Sequence, residues 1–181
     1  MKKHWHKLDE RSVFKNPVVH VTEKDFHYDA VNDSMPFTVV KMNNWSLIVP
    51  VTADNEFIAV RQFRAGPEDD TLEFPGGSID PHETPAQAAA RELEEETGAV
   101  AESIIPLGIM DPNPAFMSNK CNVFLAKNAK ITKQPNLDKF EDTQAVIIPY
   151  DEMIRMIKNG EFRQSLSVAA FGLYLVNGKR E

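Results

Sequence analysis

Glu92, Glu95 and Glu96 stand at i, i+3 and i+4 within the run Arg91-Glu92-Leu93-Glu94-Glu95-Glu96-Thr97-Gly98. On an α-helix that spacing puts all three carboxylates on one arc. Like charges so placed destabilise a bare helix by roughly 0.2–0.5 kcal/mol per pair, so a counter-charge is required. Arg91 reaches Glu95 at i+4, but one guanidinium does not neutralise the cluster. A hard divalent cation does, because Mg²⁺ takes carboxylate oxygens and keeps other positions for water and phosphate. The bland alternative is a solvated acidic face. The chemistry on offer is a metal held beside a phosphate.

The flanking residues say that the run is a helix. Thr84-Pro85-Ala86-Gln87 reads as a capping box, with Thr84 at the N-cap, Pro85 at the first helical position and Gln87 three residues after the cap. Gly98 sits where a left-handed residue stops a helix. Ala86, Ala89, Ala90 and Leu93 fall at i, i+3, i+4 and i+7, which predicts a narrow apolar stripe lying close to a sheet. The glutamates are expected on a different arc.

Gly77, five residues, Glu83, seven residues, then Arg91-Glu92-Leu93, Glu95-Glu96 and Gly98-Ala99 match the Nudix box at its nine specified positions over 23 residues. The chain is identified as resembling the Nudix hydrolases, within the ADP-ribose pyrophosphatase / nucleoside-diphosphate-sugar hydrolase branch. The resemblance covers nearly the whole chain. Trp5 with Val13-Phe14-Lys15-Asn16-Pro17, the strand Val60-Arg61-Gln62-Phe63-Arg64, and Gly160-Glu161-Phe162 before an apolar segment are similar to that branch. So is Pro114, 15 residues past Ala99. Two departures stand out. The turn before the box is Pro75-Gly76-Gly77 rather than Pro-Ala-Gly, and Asp80-Pro81-His82 replaces the commoner glycine before Glu83.

The resemblance implies an α/β Nudix fold, a mixed β-sheet sandwiched between helices, with an N-terminal β-strand extension. Residues 1–44 would be that extension, serving dimerisation, and residues 45–181 the hydrolase domain. It implies that Glu92, Glu96 and Glu95, with the backbone carbonyl of Gly76, hold Mg²⁺ or Mn²⁺. Glu83 would support the cluster and Arg91 would orient the glutamates. Glu95, Glu141 and Arg91 are the implied catalytic residues. Glu141 is taken from the acidic loop residues Asp138, Glu141 and Asp142. Arg64, Glu73 and Pro114 are the implied substrate-binding residues. The implied reaction is metal-dependent hydrolysis of the pyrophosphate bond of a nucleotide sugar, ADP-ribose giving AMP and ribose 5-phosphate, by a homodimer. GDP-mannose and ADP-glucose are close alternatives.

Composition bounds the rest. The chain has 181 residues, a net charge of -7 and 42% hydrophobic residues, which fits one globular domain with an extension. No basic block offers a grip on nucleic acid. Cys121 is the only cysteine, so no intrachain disulfide is expected. MKKHWHKLDE is followed by no apolar segment, and no run approaches the ~20 apolar residues of a membrane span. A cytoplasmic protein without membrane attachment is the expectation.

The elements that must position the box follow in order. Val18–Val21 and Phe26–Val31 read as two strands with a turn at Thr22–Asp25, and Phe37–Met42 as another. Trp45–Val51 and Phe57–Arg64 read as a hairpin, Leu72–Phe74 as a short strand, and Pro75-Gly76-Gly77 as a turn. Strands are expected at Ile104–Met110, Val123–Ala126 and Ala145–Ile148, with a polar loop over 127–144. Tyr150–Asn159 and Ser165–Val176 read as helices, and two prolines hold 111–114 as loop. Phe26, Tyr28, Trp45 and Phe116 are aromatics able to stack on a base, though each also suits a core.

Two other functions fit parts of this pattern. One is a Nudix hydrolase acting on nucleoside triphosphates or dinucleoside polyphosphates. The other is a binding module that senses a nucleotide, a class that typically loses box glutamates, all of which this chain keeps.

Overall fold

The structure is a computed structural model and describes residues 4–137 and 139–177. It divides into two units, Met1–Asn44 with Asp111–Lys120, and Trp45–Met110 with Cys121–Glu181.

The first unit is an antiparallel sheet of β1 (Trp5–Lys15), β2 (His20–Tyr28) and β3 (Asp33–Lys41), in that order. β2 corrects the expected turn at Thr22–Asp25. The strand runs unbroken through those residues, paired on one side with Asp9–Ser12 of β1 and on the other with Pro36–Val39 of β3. Its charges are satisfied across strands rather than by solvent at a turn: Arg11 pairs with Glu23 and Asp25. The chain turns later, over Asp29–Asn32, with Asn32 at φ 51, so Ala30 and Val31 are not strand. Trp5 stacks on Tyr28 at 4.3 Å, and Phe37 meets Trp5 and Phe26 edge-on. Those aromatics are therefore occupied with one another. The Asp111–Lys120 segment docks on β3, where Val40 N–H donates to Phe116 and Ser118 N–H donates back to Val40.

The second unit contains a mixed seven-stranded sheet. Its path is β12 (Gln144–Pro149), β5 (Glu56–Arg64), β4 (Trp45–Val51), β10 (Cys121–Lys127) and β9 (Ser103–Met110), with β6 (Asp69–Glu73) on β5 and β7 (Gly76–Ser78) on β4. β4 and β10 are parallel and the other pairs antiparallel. A third, two-stranded sheet joins β8 (Ala99–Val100) to β11 (Lys130–Ile131), so the expected 127–144 loop contains a short strand.

Helices cover both faces. Side chains alternate along a strand, and β4 shows the consequence. Leu47 and Val49 enter one apolar cluster with Phe57, Phe171 and Tyr174, beneath α2 (Tyr150–Asn159) and α3 (Ser165–Asn177). Ile48 enters the other, with Ala89 and Leu93 of α1 (Pro85–Thr97). This is the α/β sandwich expected from sequence.

α1 begins and ends as its sequence requires. Thr84 and Gln87 form both halves of the capping box, and Gly98 closes the helix at φ 68. The expected stripe needs correction. The buried residues are Ala88, Ala89, Glu92, Leu93, Glu96 and Thr97, and Ala86 is exposed. Glu92 and Glu96 share the buried side with the alanines instead of standing on a separate arc.

Candidate active site

The site begins where β4 and β5 part. The two strands pair at Val51 and Phe57, then diverge. The opening is filled by the turn after β6: Ile48 N–H donates to Pro75 at 3.0 Å, and β7 pairs with Trp45–Leu47. What reads as a turn in sequence is a short strand, because β4 still has free backbone groups there. A Cβ at Gly76 would stand 2.4 Å from the Ser46 carbonyl, and one at Gly77 would stand 2.3 Å from Glu92 Oε1. Gly76 requires glycine because backbone stands in the way, while a side chain at Gly77 would displace the Glu92 carboxylate, and the result is a bare backbone against the carboxylates of α1.

Glu96 is 3% exposed and accepts from Gly76 N–H at 3.1 Å. Burial, then the nearby Glu92 charge, push its carboxyl up to about 8. Burial also raises Glu92. The half-buried Glu141 stands close enough to raise both by repulsion, and its charge also reaches Arg64. Thr143 explains that placement: its hydroxyl donates to the Glu96 carbonyl at 3.4 Å, fastening the loop before β12 to the end of α1. Asp138 lies outside the described residues.

Arg91 is the hub of the exposed side. Its guanidinium donates to Glu83 at 2.7 and 3.2 Å, to Glu92 and Glu95 at 2.9 Å each, and to the Ser78 carbonyl at 3.1 Å. The pairing holds Glu83 below the usual carboxylate range and raises Arg91. Glu83 is thus tied to Arg91, and Arg91 orients the glutamates.

Beside this cluster lies a cleft of about 460 Å³, lined in part by Trp45, Leu47, Arg64, Glu73, Gly76 and Leu166. Arg64 makes two parallel bonds to Glu73, both at 2.7 Å. Thr71 donates to the same carboxylate. Glu73 is buried, so it anchors Arg64 with the outer guanidinium edge left toward the cleft.

Sequence reasoning missed Thr143, Gln164 and Ser167. Ser167 accepts from Phe74 N–H at 2.9 Å across 93 residues of chain, and no local pattern announces such a bond. Among the expected site residues, Gly76, Glu92, Glu95, Glu96, Arg91, Glu141, Arg64 and Glu73 come together. Pro114 is an exposed residue of the first unit.

The donor set suits a hard cation. Glu92 and Glu96 are like charges held close with burial opposing both, and a glycine backbone leaves room beside them. Among the described residues, no three side chains of His, Cys, Asp or Glu stand as a finished cage, since Arg91 takes oxygens of Glu92 and Glu95. The residues fit a divalent ion that completes its shell with backbone, water and an anionic ligand.

A mixed sheet between helices, with buried carboxylates against a glycine turn and an arginine cleft alongside, makes a site whose residues suit a cation next to an anionic ligand. Known proteins share this sequence pattern and fold. The family described as NUDIX domain matches residues 42–171. The chain is 25% identical over 159 residues to the ADP-ribose pyrophosphatase of Bacillus subtilis (strain 168), covering 85% of this chain and 86% of that protein. It is 32% identical over 130 residues to the ADP compounds hydrolase NudE of Escherichia coli (strain K12), covering 72% and 68%. A crystal structure of an ADP compounds hydrolase matches with a TM-score of 0.84 at 25% identity, over 99% of this chain and 98% of that one. The chain belongs to the NUDIX family. No helix among the described residues is long and apolar enough to cross a membrane.

Proposed function

We propose that this protein hydrolyses the pyrophosphate bond of nucleoside diphosphate sugars, ADP-ribose foremost, giving AMP and ribose 5-phosphate. It belongs to the cytoplasm in this reading and works as a homodimer, with the 1–44 extension serving dimerisation and 45–181 as the hydrolase domain. The observation that supports it best is the buried Glu92–Glu96 pair held against Gly76–Gly77, with Glu141 and the Arg64 cleft beside it. The names of two relatives point to ADP conjugates.

Glu92, Glu95, Glu96 and the Gly76 carbonyl would hold Mg²⁺ or Mn²⁺. A bound divalent cation supplies charge neutralisation for the diphosphate and a water of lowered pKa. Arg64, braced by Glu73, presents its free N–H groups to a diphosphate oxygen. Arg91 keeps Glu92 and Glu95 oriented toward the cation site. Glu141, reaching the cluster from its own loop, accepts the proton of the attacking water.

The test is a panel of ADP-ribose, ADP-glucose, GDP-mannose, a dinucleoside polyphosphate and a nucleoside triphosphate, each with and without Mg²⁺ or Mn²⁺. Metal-dependent release of a nucleoside monophosphate from the sugar conjugates, abolished by Glu96→Gln, is expected. Turnover of the triphosphate alone overturns the choice of substrate.

A further inference from the structure

We infer that Gln164 is a specificity-determining contact for the sugar half of the substrate, donating its amide N–H₂ to a sugar oxygen in the Arg64 cleft. The inference rests on the nucleotide-sugar reading above.

Gln164 precedes α3 and lines the cleft together with Leu166, Trp45 and Pro67. Its Oε1 accepts the Ser167 N–H at 2.6 Å, and its own carbonyl accepts from Val168 N–H at 3.0 Å. The first turn of α3 therefore fixes the side chain, and an amide held by its oxygen presents its nitrogen outward. Nothing among the described residues takes that Nε2. The segment is itself fastened to the floor of the site. The Ser167 hydroxyl accepts from Phe74 N–H, next to the Glu73 that braces Arg64. Gln164 and Arg64 are thus held in register through one short chain of bonds.

Two other polar groups of the cleft are already occupied. Glu73 is engaged by Arg64 and Thr71, and the Ser46 hydroxyl donates to the Pro85 carbonyl at 2.5 Å. Arg64 and the carboxylate cluster deal with charge. Gln164 is a neutral donor beside Leu166 and Pro67, which suits an uncharged hydroxylated group. A site that hydrogen-bonds a particular hydroxyl rejects analogues lacking it, because its polar group is left unpaired.

Two variants separate this role from helix capping. Gln164→Glu keeps the oxygen that caps Ser167 and loses the donor. Gln164→Met loses both. kcat and KM are measured for ADP-ribose, ADP-glucose and GDP-mannose with saturating Mg²⁺. In both variants the best sugar is expected to lose about tenfold in kcat/KM through KM, the value of one good hydrogen bond. Poorer sugars lose less, so the preference ratio collapses while kcat holds. An unchanged preference ratio, or an equal fall in kcat for every substrate confined to Gln164→Met, overturns the inference. Failure of the underlying reading has its own signature, a wild-type enzyme silent on all three sugars. That outcome overturns both, whereas a wild-type enzyme active on the sugars with an unchanged ratio in the variants overturns the role of Gln164 alone.

Discussion

Gly76 N–H and the Glu96 carboxylate, 20 residues apart, meet at 3.1 Å inside the second unit. This single donor does not offset what burial and Glu92 do to Glu96, whose carboxyl rises to about 8. The folded protein then keeps a proton that the unfolded chain sheds above its ordinary value of 4.5. Without divalent ions, stability falls as pH rises between those values, because the folded state binds more protons there. Glu92, also raised, adds in the same direction. In EDTA, melting curves from pH 5 to pH 9 are expected to show Tm declining, by a free energy on the order of a few kcal/mol. Glu96→Gln should flatten the slope and melt higher than wild type at pH 8. Parallel curves for the two proteins would remove the claim.

Gly77 is the position where a single methyl group tests the cation site. A Cβ there meets Glu92 Oε1 at 2.3 Å, so Gly77→Ala pushes the carboxylate away from the turn. The rest of the fold does not depend on that contact. Mn²⁺ affinity, read by electron paramagnetic resonance, is expected to fall about 10- to 100-fold. Activity should fall with it while Tm stays within a few degrees of wild type. Normal Mn²⁺ binding by this variant would take Glu92 out of the ligand set.

Thr143 and Glu141 should differ in degree. Glu141→Gln removes the proposed base and is expected to lower kcat about 10²- to 10⁴-fold. Thr143→Val only frees the loop from the Glu96 carbonyl, so a loss of about three- to tenfold in kcat at constant KM is expected. Steady-state kinetics on both variants decide this. Near-normal turnover in Glu141→Gln would leave the base elsewhere.

The elements that were legible in sequence are those written locally. α1 declared itself through Thr84, Pro85, Gln87 and Gly98, all within one short stretch. β4 and β5 declared themselves through continuous apolar runs, which a strand covered on both faces requires. The misreadings share one cause. Glu23-Lys24-Asp25 looks like a turn because Arg11, its partner, is on another strand. Ala86 fits the helical stripe by period, yet it is exposed in the structure. The box glutamates were visible as a cluster, but their burial was not. It depends on Gly76 and Gly77 filling the gap between β4 and β5. Ser167 and Gln164 were invisible for the same reason, since their value comes from Phe74 and the cleft far away in sequence.

The Arg64–Glu73 pair predicts an asymmetry between its two members. Glu73 is buried and its carboxylate is fully engaged, so Glu73→Gln leaves Arg64 in place but free to swing. KM for ADP-ribose is expected to rise about tenfold with a smaller change in kcat. Arg64→Lys loses the paired geometry and also leaves Glu73 buried with a poorer partner, so it should lower Tm as well as raise KM. The two KM values and the two melting temperatures check this. An Arg64→Lys variant as stable as wild type would mean that the pair serves the substrate alone.

The proposed dimer is testable at the first strand. β1 is an 11-residue edge strand, and its outer row of backbone groups has no partner strand in the sheet order β1-β2-β3. Open edges invite pairing unless charge or bulges block it. β1 does carry register shifts between Lys7 and Asp9 and between Ser12 and Phe14. It also exposes Leu8 at 61%, Val13 at 61% and Phe14 at 53%, apolar surface that a lone protomer leaves in water. A second copy covering this row would bury it at roughly 25 cal/mol per Å². Light scattering at micromolar concentration is expected to give twice the mass of one 20.4 kDa chain. Leu8→Asp with Phe14→Asp should shift that mass toward one chain while leaving the second unit folded by circular dichroism. If the wild-type protein has the mass of a single chain under these conditions, the first unit is not a dimerisation module. The cleft must then work without a partner.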